Sequence, residues 1–225
     1  MFEPNKIFIK PIEMSGAKEM CRVYHYMKTA PSGAALAFGI FHPDFKGVKG
    51  VCIFGRSTGT DAKANYFPDV KPENILEMQR LWISDDLGHN AESKTLSLMM
   101  KKIKDTYEQI KVVWTYAGGC KNDCGIVYQS SGFMYLGSEP CEDFYLTDSG
   151  EYKNIINVLR FGKAPKELKT KEEKAAFVYG KGTLLKTKRH YYFYPLCKAV
   201  RRKMESKTLP FPKDSENFRK AQQWV

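Results

Sequence analysis

Residues 75–116 read ILEMQRLWISDDLGHNAESKTLSLMMKKIKDTYEQIKVVWTY. Ile75 to Ile83 is an apolar-rich run of strand length. Asn90 then offers a helix N-cap for Ala91 to Thr106. There Leu96, Met99, Met100, Ile103 and Tyr107 recur at helical spacing, and Lys94, Lys101, Lys102 and Lys104 fill polar positions. This predicts an amphipathic helix packed on a sheet. Ile110 to Tyr116 is a continuous apolar run, the pattern of a strand buried on both faces. The stretch is a strand-helix-strand unit.

Upstream, Ile7 to Ile12 alternates like a short strand, and Gly16 to Met27 is helical until it stops before Pro31. Ala35 to Phe41 and Gly50 to Arg56 are β-rich and joined by HPDFKG at 42–47, whose Pro, Asp and Gly supply turn geometry, so they predict an antiparallel hairpin. Downstream, Gly118 and Gly119 open a loop. A short helix at Ile126 to Ser131 and strands at Phe133 to Leu136 and Phe144 to Thr147 follow. A helix at Lys171 to Tyr179, a strand at Leu184 to Tyr194 and a basic helical segment at Leu196 to Met204 come next. Leu209 to Val225, with Pro210 and Pro212, reads as a peripheral tail for which Trp224 is the candidate anchor. The fold class expected is α/β with a mixed sheet.

The 225 residues allow one large domain or one domain with an appendage. Net charge is +11, and it is uneven: residues 1–150 carry 17 basic and 18 acidic side chains, residues 151–225 carry 19 and 7. A near-neutral body over 1–150 and a polyanion-binding extension over 151–225, net +12, are therefore expected. No apolar run reaches the roughly 18–20 residues that span a bilayer, and Met1 to Ile12 lacks an export signal, which points to a cytoplasmic protein without a membrane partner. Six cysteines without a CxxC pair give neither a disulfide framework nor a zinc signature. Cys120 and Cys124 read either as two loop thiols or as half of a metal site.

An antiparallel hairpin ahead of a strand-helix-strand unit resembles the acyl-CoA N-acyltransferase (GNAT) fold. In that fold the cofactor pyrophosphate sits at the N-terminus of the main helix, where free N–H groups and the helix dipole favour an anion. Here that place is Gly88 to Lys94, with Asn90, Ser93 and Lys94 as candidate cofactor contacts beside Arg80 and Trp82. Five blocks carry a more specific likeness: YHYMKTAPSG at 24–33, VCIFGR at 51–56, Arg80-Leu81-Trp82, TYAGGCKNDCGIVYQSSGFMYLG at 115–137 and RHYYFYPLCKAVRRK at 189–203. Together they resemble the bacteriophage Mom family, whose members modify adenine in DNA and protect it from restriction. The fourth block keeps Tyr116, Ala117, Gly125, Tyr128, Gln129, Phe133, Tyr135 and Gly137. It departs at Gly118, where the family usually has aspartate; Asp123 is the replacement carboxylate in the same loop.

The resemblance implies a DNA-modifying transferase that converts adenine N6 to an acetamido or carbamoylmethyl derivative. The N6 amine is conjugated with the ring and is a poor nucleophile, so a catalyst must position it, remove a proton and stabilise charge on the electrophile. His25 is the base candidate by type, with Tyr26, Tyr116, Asp123 and Tyr128 completing the candidate catalytic set. Acetyl-CoA is the expected donor. Because it cannot by itself give a carbamoylmethyl product, another cofactor, a metal ion such as iron, or a partner enzyme stays open. Double-stranded DNA with a flipped adenine is the expected partner, a dimer is one oligomeric option, and host cytoplasm is the compartment if a phage encodes the chain. Arg56, Lys186, Lys188, Arg189, Tyr191, Tyr192, Arg201, Arg202 and Lys203 are the candidate DNA contacts, cations for phosphates and aromatics for an unpaired base. Two other readings compete: an N-acetyltransferase acting on a protein or small amine, and a catalytically inactive DNA-binding relative.

Overall fold

The structure, a computed structural model, describes residues 6–56, 59–121 and 123–213. Among the described residues eight strands and seven α-helices form a mixed α/β arrangement. The strands are β1 (Phe8–Pro11), β2 (Ala34–Phe41), β3 (Gly50–Gly55), β4 (Ile75–Ile83), β5 (Val112–Gly118), β6 (Met134–Thr147), β7 (Tyr152–Asn154) and β8 (Gly182–Pro195). The helices are α1 (Met14–Tyr24), α2 (Thr60–Ala64), α3 (Ala91–Thr106), α4 (Ile126–Ser130), α5 (Ile156–Arg160), α6 (Lys171–Tyr179) and α7 (Lys198–Met204).

The chain forms two compact units that interleave in sequence. The first comprises Met1–Thr115, Ile126–Leu136 and Tyr191–Phe211; the second comprises Tyr116–Gly125, Gly137–His190 and Pro212–Val225. Residues 151–225 therefore contribute to both, and so does their charge. The first unit holds 21 basic and 14 acidic side chains (+7), the second 15 and 11 (+4).

In the first unit β1, β2, β3 and β4 form an antiparallel run, and β5 joins β4 in parallel. The parallel ladder is short: Ile75↔Val112, Leu76↔Val113 and Glu77↔Trp114. Beyond it β4 runs on to Ile83, with Thr115 Oγ1 donating to Met78 O at 3.2 Å. The helix α3 spans the residues its apolar spacing predicts and buries Ala91, Leu96, Met99, Met100 and Ile103. Each of the larger side chains contributes roughly 1.5–3 kcal/mol by leaving water. On α1, Ala17 and Cys21 pack on Ala37, Val51 and Ile53, with Met20 and Trp82 at the edge of that cluster.

The second unit is organised by a smaller core. Tyr145, Ile155 and Ala175 are fully buried, and Leu159, Ala176, Tyr179 and Leu184 close around them. The start of α6 is fixed by a capping box, in which Thr170 Oγ1 accepts from Glu173 N at 3.1 Å and Glu173 Oε2 accepts from Thr170 N at 2.9 Å.

Three elements differ from the sequence reading. The two strands expected at 133–136 and 144–147 are one 14-residue strand, β6. Gly137 and Pro140 look like a break, but Gly137 takes a positive φ of 115° and Pro140 sits exposed within the strand. Strand β5 starts two residues later than expected because Ile110 N still donates to Tyr107 O, at 2.9 Å, in the turn that follows α3. Helix α1 ends at Tyr24, and His25 adopts extended backbone, so His25 leaves the helix. Residues 214–225, including Trp224, lie outside the described residues.

Gly118 ends β5 with φ 86°, and a Cβ there would stand 2.2 Å from Lys188 O and 3.2 Å from Asp123 O. The position rejects any side chain, so the aspartate of the Mom pattern has no room on this backbone. Gly118→Ala is expected to cost about 2 kcal/mol or more in chemical denaturation, from the left-handed backbone plus the clash. An unchanged midpoint would show that the loop relaxes.

Candidate functional site

The bend after α1 brings His25 beneath the helix end. His25 is 5% exposed, and its Nδ1 accepts from Met27 N at 3.1 Å. Burial, then Arg80, then Lys28 lower its pKa from 6.5 to about 3. The ring is therefore neutral, and because Nδ1 already accepts, the proton resides on Nε2. Tyr26 lies against it with ring centroids 4.2 Å apart and is half-exposed.

Arg80 is delivered to the same place by β4. Arg80 pairs across the ladder with Ile53 and Trp82 with Val51, and the register then slips so that Phe54 pairs with Met78. Val51, Ile53 and Trp82 all pack on the α1 side, which puts Arg80 there too. Its Nη1 donates to Gln79 O at 2.7 Å and its Nη2 to Thr29 Oγ1 at 3.4 Å. Its Nε is buried without a hydrogen-bond partner among the described residues, as is Gln79 Oε1, while Gln79 Nε2 donates to Ser32 O at 2.9 Å. No carboxylate among the described residues ion-pairs with Arg80. A permanently charged, partly buried guanidinium without an anion is costly on its own and suits an anionic or carbonyl ligand.

Next to it, Trp82 is stacked under Tyr24 at 4.5 Å and 15°, in a groove whose rim includes Lys49, Ser84, Asp85 and Asp86. Lys49 pairs with Asp86 at 2.8 Å, and hydrogen bonds from Lys49 and Ser84 hold the Asp86 carboxyl below its ordinary pKa. At the start of α3, Asn90 occupies the N-cap position but makes no side-chain cap. Capping needs extended backbone, and Asn90 is left-handed (φ 65°, ψ 6°). Its carbonyl instead accepts from Ser93 Oγ at 3.2 Å and Lys94 N at 3.0 Å. Thr95 Oγ1, one turn in, is buried without a hydrogen-bond partner among the described residues.

Tyr128, also in the first unit, is one member of an aromatic cluster with Phe133 and Tyr192 at 5.4 and 5.5 Å. Tyr192 is fully buried and its hydroxyl accepts from Gln129 at 3.1 Å, which makes it a core residue and corrects its expected contact with DNA. Tyr191 is half-buried against Trp114 at 5.5 Å. Arg56, Arg201 and Arg202 are exposed, as is Lys203, which pairs with Asp69.

In the second unit Arg189 sits 5.6 Å over the Tyr116 ring and is held by Asp143 and, at 3.5 Å, by Glu139. Two carboxylates therefore already pair with this cation. Lys186 and Lys188 on β8 are exposed. Asp123 is tied into a local turn, its Oδ1 accepting from Gly125 N at 2.9 Å. Cys120 and Cys124 are buried, and no group of three or more His, Cys, Asp or Glu side chains suited to a metal occurs among the described residues.

Sequence reasoning missed Thr29, Gln79 and Ser32 around Arg80, although Thr29 and Ser32 lie within the block YHYMKTAPSG. It also missed the buried Lys63–Glu77 ion pair beside Trp114, for which no motif gives a signal.

The Mom protein family model matches residues 6–213. The methylcarbamoylase Mom of Escherichia phage Mu is 25% identical over 202 residues, covering 88% of this chain and 80% of its own length. Among solved structures, Arabidopsis thaliana NAA60 in complex with acetyl-CoA aligns with a TM-score of 0.50 at 10% identity, covering 84% of this chain and 99% of that one. The same protein with a bisubstrate analogue aligns equally, covering 84% and 97%. The fold is that of the GNAT acetyltransferases. With its blocks at 24–33, 51–56, 80–82, 115–137 and 189–203 all inside the matched span, the chain belongs to the Mom protein family.

Proposed function

We propose that this chain is a transferase that converts adenine N6 in DNA to an acetamido or carbamoylmethyl derivative and so shields the DNA from restriction enzymes. Family membership supports the reaction class. The observation that carries the reading is a partly buried Arg80, whose Nε is buried without a partner and which pairs with no carboxylate among the described residues, beside a neutral His25.

The roles follow from the protons. His25 holds its proton at Nε2 and donates it as a hydrogen bond, because burial and two nearby cations oppose a second proton. With Arg80 it forms a pair of donors for a carbonyl oxygen on which charge develops. This revises the assignment of His25 as general base. Tyr26, half-exposed and against the His25 ring, offers a face for an extruded adenine.

Acetyl-CoA fits what the residues offer. The start of α3 is uncapped by its own side chain, and β4 past Met78 extends beyond its parallel ladder, an edge on which an amide-bearing chain can pair. When bound it would supply a thioester-activated two-carbon unit; acyl transfer with CoA thiol leaving would give the acetamido product, whereas a carbamoylmethyl product would also need a nitrogen source and a two-electron oxidant for the carbon that bonds to N6. A metal fits poorly, given the residue at 118 and the lack of a ligand cluster among the described residues. Gly118 is also the observation that favours an inactive relative.

Expression in a bacterium, digestion of host DNA to nucleosides and mass spectrometry should reveal a modified adenosine that is lost in His25→Ala and in Arg80→Gln. A wild-type spectrum of unmodified adenosine from well-folded protein would favour the inactive relative.

Since the folded pKa of His25 is about 3, below its unfolded value of 6.5, its contribution to stability is complete above about pH 6.5 and lost as pH falls towards 3. Urea denaturation at pH 7 and 5 should show the wild type losing about 2 kcal/mol more than His25→Gln. Equal losses would place the imidazole in contact with water.

For DNA, Lys186→Gln with Lys188→Gln should reduce the slope of log affinity against log salt by about 2. An unaltered slope would remove β8 from the DNA interface.

A further inference from the structure

Among the described residues the two most exposed large apolar side chains are Phe161 (71%) and Phe177 (61%), and both belong to the second unit. Phe177 lies on α6 and Phe161 just after α5, and these two helices pack together. Val158 and Leu159 anchor α5 in or against the small core around Tyr145 and Ile155, and Ala175, Ala176 and Tyr179 anchor α6 to the same core. Phe161 is carried on the turn that follows α5. Gly162 completes it with φ 59°, and a Cβ on Gly162 would meet nothing within 4 Å, so the turn projects away from the rest of the unit.

The surroundings of these rings are cationic. Lys163, Lys166 and Lys169 are exposed and make no ion pair among the described residues. Of the carboxylates nearby in sequence, Glu173 closes the capping box, Glu172 accepts from Leu184 N at 3.1 Å and Glu167 is exposed, so residues 161–169 carry three lysines against one glutamate. A second copy of this surface would bring lysines against lysines. A duplex meets both features, since phosphates match the lysines and a gap between base pairs matches a phenyl ring.

We infer that Phe161 and Phe177 form an apolar wedge that enters between base pairs of duplex DNA, flanked by Lys163, Lys166 and Lys169 on the phosphates. This rests on the reading of the chain as a DNA-modifying enzyme and adds how the duplex is opened. A target amine inside a duplex is beyond reach until its base is unstacked, and an inserted side chain unstacks a step and kinks the helix. The wedge needs no sequence specificity, because every base step presents apolar faces.

The test uses the full chain and a duplex labelled with a fluorophore at each end, read by resonance energy transfer and by titration at several salt concentrations. The wild type should shorten the end-to-end distance of the bound duplex. Phe161→Ala with Phe177→Ala should keep the melting temperature and the salt slope, bind about tenfold more weakly and leave the duplex straight. Phe161→Leu with Phe177→Leu should recover bending. Bending by the double alanine variant equal to that of wild type overturns the wedge, as does binding of wild type to DNA that stays straight. A concentration-dependent dimer abolished by the alanine variant also overturns it, by assigning the rings to a contact between copies. Absence of any wild-type binding to duplex DNA instead removes the DNA reading itself.

Discussion

A guanidinium that is partly buried with no carboxylate paired to it among the described residues sets the terms for everything around it. Arg80 cannot lose its proton, so the protein spends neutral groups on it: a backbone carbonyl at Gln79 and the hydroxyl of Thr29. Its field, added to burial, keeps the neighbouring His25 neutral. The imidazole then has one arrangement available, with Nδ1 accepting from the chain and Nε2–H free to donate. Two electropositive donors on one side of the sheet are what a developing oxyanion needs, and a general base is what they exclude at that position.

The fold was largely legible because its central unit obeys simple periodicities. The bounds of β4 and α3 could be read from residues 75–106, since an apolar run and a 3.6-residue stripe leave little freedom. Strand β6 was not, because Gly137 and Pro140 carry the local signals of a turn and only pairing within the sheet overrides them. The site was legible in part. Residue type offered His25 as a base, and the family likeness offered Arg80 as a cofactor contact; a base and a donor are the same residue in sequence, and only burial and the Met27 hydrogen bond separate them for His25. Tyr192 looked like a stacking platform among cations until its complete burial placed it in the core.

The second unit shows how charge read along a chain differs from charge on a surface. Arg189 sits in the most basic stretch yet pairs with Asp143 and Glu139, whereas Lys163, Lys166 and Lys169 are exposed and make no ion pair among the described residues. Gly118 is the other constraint in this unit. With a Cβ excluded by Lys188 O, the loop after β5 is built around the lack of a side chain, and the Asp123 carboxylate is committed to its own turn.

The protonation state of His25 is the most direct measure of this account. Nitrogen NMR of the imidazole should find a neutral ring with hydrogen on Nε2 and an unprotonated Nδ1 from about pH 8 down to about pH 5. A ring that becomes imidazolium as the pH passes about 6.5 would contradict the account, because it would mean that the Arg80 field and burial do not reach His25 and that it is free to act as a base.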